Sequence, residues 1–166
     1  GLGDVYKRQG LVKEYDISPA GLKLEITESA VIMDVPKQAA LIEKLQAEGF
    51  VVEMDDFGSG YSSLNTLKDI PVDILKLDMK FMEKSKNTKR SADIVQMVVA
   101  MADKLGMPVI AEGVETKEQA DFLGRIGCDI IQGYYYAKPM SMEEFEQLLN
   151  KYPYRDIVQK GIGNDI

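Results

Sequence analysis

The sequence predicts an α/β fold: parallel strands, each followed by a helix, rolled so that one end of every strand faces a common centre. Strand-like apolar runs alternate with helix-like periodic stretches five times between Lys23 and residue 150. Such alternation makes neighbouring strands parallel and covers them with helices. Polar residues also recur near the C-terminal ends of these runs: Glu25, Asp55, Lys76 with Asp78, Glu112 and Gln132. Alternation alone leaves an open doubly wound sheet and a closed barrel both in play. Polar groups converging from five strands need one centre, and a barrel supplies it.

Residues 1–9, GLGDVYKRQ, fit nothing that follows and read as a non-native leader. Residues 10–22 read as a helix end and a loop broken by Pro19 and Gly21. The first strand is Lys23–Thr27. Asp34 and Pro36 then open a helix with Leu41, Ile42 and Leu45 on one face, closed by Gly49. The second strand is Val51–Asp55, followed by a short helix from about Ser62 to Lys68 with Ser62 or Ser63 as cap. The third is Val72–Asp78. A polar loop, Glu83–Lys89, precedes a long helix from about Ser91 to Leu105, whose apolar face is Ile94, Val95, Val98, Met101, Ala102 and Leu105. Met97 and Met101 read as core. The fourth strand is Pro108–Glu112. Thr116 with Gln119 forms a capping box for a helix carrying Phe122, Leu123 and Ile126. The fifth strand is Asp129–Gln132. Ser141 with Glu144 caps a last helix carrying Phe145, Leu148 and Leu149, and 151–166 reads as a polar tail.

Composition narrows the chemistry. At 166 residues, 45% of them hydrophobic, the chain can build one real core. It has no histidine, which excludes His-ligated zinc and every His-based triad. Any metal is therefore held by oxygen, which suits hard ions such as Mg²⁺ or Mn²⁺. A net charge of −7 argues against a DNA or RNA duplex as partner. The single cysteine, Cys128, fits a reducing compartment, and no apolar run is long enough to cross a bilayer, so the expected location is cytoplasmic.

The stretch VVEMDDFGSGYSSL, Val51–Leu64, carries the strongest chemical signal. Two carboxylates stand where a strand ends, ahead of a loop whose Gly58 and Gly60 reach backbone angles closed to other residues. With Glu25 and Glu112 they bring four negative charges together, of which Lys76 offsets one. Two divalent ions would resolve the surplus and form the clamp used for in-line attack on a phosphodiester. In that reading Asp55 bridges both ions and Asp56 turns over the rim to hold one. Lys76 orients the attacking water or meets phosphate charge, and Glu112 takes the water's proton. Each piece has a plainer reading: DDFG as a turn, Lys76 with Asp78 as an ion pair, Tyr134–Tyr136 as rim packing.

EITES (Glu25–Ser29), DDFGSGYSSL (Asp55–Leu64), LKLD (Leu75–Asp78), AEGVET (Ala111–Thr116) and QGYYYAKP (Gln132–Pro139), in this order, resemble the EAL-domain family of cyclic di-GMP phosphodiesterases of bacterial signalling. The resemblance covers about residues 11–150 and implies a partial EAL domain over 10–150. It implies a (β/α)8 TIM-type barrel of the EAL kind, a substrate, cyclic di-GMP, cut to linear pGpG, and two Mg²⁺ or Mn²⁺ ions per complete site. By motif, Glu25, Asp55 and Asp56 resemble metal ligands, Lys76 the residue that holds the nucleophilic water, and Glu112 the general base. Asp78, Glu115 and Gln132 resemble supporting site residues. Glu28 resembles the glutamate that anchors the loop after DDFG. That loop, with Phe57, Gly58, Ser59 and Gly60, is expected to be mobile and to serve substrate binding and a homodimer contact.

The family's first strands, one bearing the Glu-Ala-Leu signature and another a metal-binding Asn, have no counterpart here. The chain therefore resembles an incomplete barrel of five parallel βα units, expected to be inactive or poorly soluble alone. Two other readings stay open: a catalytically silent cyclic di-GMP receptor or interaction module, and an unrelated metal-dependent phosphoesterase on the same barrel.

Overall fold

The computed structural model describes residues 10–58, 64–80 and 88–151, with backbone alone at 64–66. Residues 1–9, expected to be a leader, the expected caps Ser62 and Ser63, the loop residues Ser59 and Gly60, most of the expected polar loop and nearly all of the expected tail lie outside the described residues.

Five strands form one sheet in the order β1-β2-β3-β4-β5, every neighbouring pair parallel. They are β1 (Lys23–Thr27), β2 (Val51–Phe57), β3 (Ile74–Asp78), β4 (Val109–Glu112) and β5 (Ile130–Ile131). The helices are α1 (Glu28–Met33), α2 (Val35–Ala47), α3 (Leu64–Asp69), α4 (Thr88–Lys104), α5 (Lys117–Arg125) and α6 (Met142–Lys151). Sequence order equals sheet order, as successive right-handed crossovers produce on the way to a barrel. Among the described residues the sheet does not close: β1 and β5 pair on one side only.

The helix-facing side of the sheet is the core. Leu24, Val52, Met54, Phe57, Leu75, Leu77, Val109 and Ala111 alternate along the strands and are buried there. They pack with Val31, Ile42, Leu45, Val95, Val99, Ala102 and Leu123 from the helices. Both predicted capping boxes form. The Gln119 N–H donates to Thr116 Oγ1 at 3.3 Å and the Thr116 N–H to Gln119 Oε1 at 3.1 Å. The Glu144 N–H donates to Ser141 Oγ at 3.2 Å and the Ser141 N–H to Glu144 Oε2 at 2.8 Å.

Several boundaries move, each for a local reason. Residues 28–33 form α1, an element absent from the sequence reading; Thr27 caps it and Asp34 both ends it and caps α2. β3 begins at Ile74 because Asp73 takes the ladder position before it: its Oδ2 accepts the Val52 N–H at 2.7 Å and its N–H donates to the Val52 carbonyl at 2.9 Å. The buried stripe of α4 is Ser91, Val95, Val99 and Ala102, so Ile94, Leu105 and above all Met97, 71% exposed, are not core. Phe145 and Leu149 of α6 are exposed as well, since no described element packs over them. No described helix is long and apolar enough to cross a membrane.

Leu75 sits at the centre of the core with no exposed surface. Leu75→Ala is expected to cost about 2–5 kcal/mol. Urea unfolding should show a lower midpoint at unchanged slope. Cys128 is buried, and burial pushes its thiol pKa up. Its reaction with a disulfide reagent at pH 8 should be at least about tenfold slower in the native chain than in urea, because the thiolate is the nucleophile.

Candidate active site

Opposite the core, the other face of the sheet carries charge. Cα register places Glu25 beside Glu53, Thr27 beside Asp55, and Asp78 beside Glu112. Paired residues in a parallel ladder share a face, so Lys23, Glu25, Glu53, Asp55, Lys76, Asp78 and Glu112 line one surface.

The register between β2 and β3 slips there. Met54 pairs with Leu75 and Phe57 with Leu77, so two residues, Asp55 and Asp56, oppose the single Lys76. This is a β-bulge, and it explains why β2 runs on to Phe57 and does not end at Asp55. Asp56 takes the left-handed conformation at φ 58°, which aspartate tolerates better than most residues. Its N–H donates to Asp55 Oδ1 at 2.9 Å. The bulge keeps both carboxylates off the core face, where regular alternation would send one of them inward.

Lys76 is the hub. Its ammonium lies 2.5 Å from Glu25 Oε1, 3.0 Å from Glu112 Oε1 and 3.3 Å from Asp55 Oδ1. The lysine is 6% exposed. Burial pulls its pKa down, but the carboxylates of Glu25, Glu112 and Asp55 outweigh this and hold it above the ordinary lysine value. Burial pushes Glu112 up from the ordinary carboxylate value; Lys76 opposes the rise, and Asp55 and Glu25 add to it.

The other expected residues divide. Asp78 does not join Lys76; its Oδ1 accepts the Lys80 N–H at 2.9 Å. Asp56 and Glu115 are exposed. Glu115 enters the α5 capping box through its N–H, 2.8 Å from Gln119 Oε1. The side chain of Gln132 is exposed and borders a cavity of about 340 Å³ with Tyr134, Pro139, Met140 and Phe145. Glu28 is buried. One oxygen accepts the Gly58 N–H at 3.2 Å, and the other has no partner. Burial raises its pKa, the Gly58 N–H counteracts this, and Asp56 adds to the rise.

A backbone clasp joins two segments at the rim. The Val114 N–H donates to the Gln132 carbonyl at 3.2 Å, and the Tyr135 N–H to the Val114 carbonyl at 3.0 Å. Gly133 makes this approach possible: a Cβ there would lie 2.1 Å from the Val114 oxygen. The sequence reading missed Gly133, and it missed the buried Glu53 and its partner Lys23. The period-two spacing of Lys23, Glu25, Glu53 and Asp55 was the signal available for the pair.

Among the described residues, no group of three or more His, Cys, Asp or Glu side chains is arranged to hold a metal ion. The cation that the carboxylates surround is Lys76. Their donor chemistry, three carboxylates around one positive centre, nonetheless suits a hard divalent ion.

Residues 7–139 match a family described as EAL domain. The chain is 40% identical over 131 residues to the cyclic di-GMP phosphodiesterase NbdA of Pseudomonas aeruginosa, covering 79% of this chain and 17% of that protein. Among solved structures, the c-di-GMP complex of the MucR phosphodiesterase, a protein of the same organism, is 37% identical. Its TM-score is 0.78, over 85% of this chain and 57% of that one. A calcium and cy-diGMP complex of Klebsiella pneumoniae BlrP1 is 30% identical with a TM-score of 0.75, over 81% of this chain and 34% of that one. The chain thus spans about a fifth or less of the first curated relatives it matches.

Gly133→Ala should break the clasp and lower stability by about 1–3 kcal/mol or more, the range for forced overpacking, measured by urea unfolding. Glu28 gives a pH signature. Its folded pKa is raised, so the stability it contributes is present at low pH and falls as pH rises through the folded value. Glu28→Gln should therefore gain stability relative to the parent as pH increases from 4.5 towards neutrality, where 4.5 is the ordinary carboxylate value. A difference that is flat with pH would contradict the assignment.

Proposed function

The chain belongs to the EAL domain family, and from that premise we propose that it is part of a metal-dependent phosphodiesterase that opens one phosphodiester bond of cyclic di-GMP to give linear pGpG. The single observation that carries this reading is the convergence of Glu25, Asp55 and Glu112 on Lys76 at the C-terminal end of the strands. That is the end where barrel enzymes keep their chemistry. The similarity to the cyclic di-GMP phosphodiesterase NbdA and to the c-di-GMP complex of the MucR phosphodiesterase supports the choice of substrate.

Three carboxylates against one ammonium leave a formal surplus of two negative charges, which favours cation binding. In this reading Glu25, Asp55 and Asp56 would hold the ions, Mg²⁺ or Mn²⁺. When bound, such ions supply Lewis-acid charge to the phosphate oxygens. Glu112 accepts the proton of the attacking water, a task suited to a carboxylate whose pKa burial has raised. Lys76 stays protonated throughout and meets charge that develops on phosphate in the transition state. We assign Asp78, Glu115 and Gln132 to supporting the site. Glu28, fixed to the Gly58 N–H, holds the start of the segment from Phe57 onward, which we assign to substrate binding and to contact with a second copy. The setting we assign is cytoplasmic, consistent with the buried free thiol of Cys128.

In a longer protein that carries this chain, Glu112→Gln should lower kcat for cyclic di-GMP by about 10²–10⁴-fold. Asp55→Asn should lower both activity and metal affinity, and chelation should abolish turnover. Unchanged hydrolysis in both variants would exclude the mechanism. Binding of cyclic di-GMP without any hydrolysis in the presence of Mg²⁺ or Mn²⁺ would favour a silent receptor. The 166-residue chain on its own is expected to show no turnover, because the described sheet is open at β1 and β5.

A further inference from the structure

Glu53 is a buried carboxylate that neither the motifs nor the mechanism uses. It is 3% exposed. Its Cα partner on β1 is Glu25, so two glutamates stand directly opposite one another on the same face, with strands about 4.8 Å apart. Like charges in that arrangement repel. The structure separates them by giving each its own lysine. Glu25 reaches Lys76 at 2.5 Å, and Glu53 faces Lys23, whose Nζ lies 3.1 Å from Glu53 Oε1. The second contact is an ion pair without hydrogen-bond geometry, since that buried oxygen has no hydrogen-bond partner.

Sheet order makes this allocation consequential. Lys76 is on β3 and Glu25 on β1, so their contact passes over β2. Glu53 is on β2, in the layer of Glu25, two residues before Asp55. It is therefore closer in strand order to Lys76 than Glu25 is, yet it does not take the ammonium. We propose that Lys23 is a positioning residue for the site: by holding the Glu53 carboxylate, it keeps Lys76 for Glu25, Asp55 and Glu112. Without Lys23, a buried and uncompensated Glu53 turns to the cation of the neighbouring strand on the same face, Lys76 is drawn from the cluster, and Glu25 loses the contact that aims it. Loss of Glu53 is harmless by the same logic, because Lys23, half exposed at its side chain, is then left in water.

The proposal rests on the phosphodiesterase reading only for its consequence in catalysis, so its test uses neither metal nor dinucleotide. In the 166-residue chain labelled with ¹⁵N-lysine, a buried and ion-paired ammonium gives a slowly exchanging Nζ signal, assigned to Lys76 by its loss in Lys76→Arg. The signal is expected to persist in Glu53→Gln, to shift or vanish in Lys23→Met, and to return in the double variant. Glu53→Asp shortens the pair while keeping its charge and should also disturb the signal. A signal unchanged in Lys23→Met and Glu53→Asp overturns the proposal. So does a double variant that fails to restore it, or a loss of folding in Lys23→Met that Glu53→Gln does not reverse. Where a longer active protein is available, kcat should follow the same pattern at unchanged KM.

Discussion

One buried ammonium organises the inner face of this sheet. Glu25, Asp55 and Glu112 come from three strands whose order places Lys76 among them, and each carboxylate meets the same nitrogen. Three acids brought close together repel one another. With a lysine at the centre that repulsion is offset and the side chains are fixed. Desolvation opposes a charged lysine, and three carboxylates reverse that opposition. The arrangement is conditional on all partners, since removing one leaves an uncompensated charge among the rest. It is also incomplete in charge, and the proposed binding of cations and of a phosphate rests on that surplus.

The β-bulge at Asp55 and Asp56 solves a problem that regular pleating cannot. Adjacent residues on a strand point to opposite faces. A DD pair in an unbroken ladder would send one aspartate into the apolar layer formed by Met54 and Phe57. The inserted residue lets Met54 and Phe57 both remain in the core while the two aspartates lie between them. The left-handed backbone at Asp56 is the local cost, of order 1 kcal/mol for a residue other than glycine. Glu28 steadies the far side of the bulge through the Gly58 N–H, at the expense of a buried oxygen with no partner. Strain and unsatisfied polarity are thus concentrated within a few residues of the site, where pre-organised chemistry places them.

Much of this was legible in the sequence, because the strongest signals are local. Periodicity gave the five strands and the long helices, and the capping boxes at Thr116 and Ser141 were readable as pairs three residues apart. The convergence of Glu25, Asp55, Lys76 and Glu112 followed from their shared position at strand ends. What escaped depends on register. Whether Lys76 pairs with Asp78 or with Glu25 across an intervening strand is decided by ladder alignment, which a single strand does not encode. The exposure of Met97, Phe145 and Leu149 likewise depends on what packs over a helix, whereas periodicity reports only that a stripe exists. α1 was too short for its period to register, although Thr27 and Asp34 were capping residues in plain view.

The two faces of the sheet divide the work between stability and chemistry. The helix side holds the apolar residues that are almost wholly buried, Met54, Leu75 and Leu77 among them, and substitutions there act on folding. The opposite side carries paired charges in successive layers, Lys23 holding Glu53, and Lys76 holding Glu25 from the layer of Glu53 together with Glu112. Ion pairs such as Lys23–Glu53 and Lys76–Glu25, each joining a buried group to a half-exposed one, add little net stability. The charged layers are therefore poorly explained as scaffolding and better explained as orientation, each lysine selecting which carboxylate points where. A parallel sheet ordinarily has both faces covered by apolar packing. Here one face sets charge among apolar ladder partners such as Ile74 and Ile110, so its charged side chains can be tuned by partner choice while the main core lies on the other face.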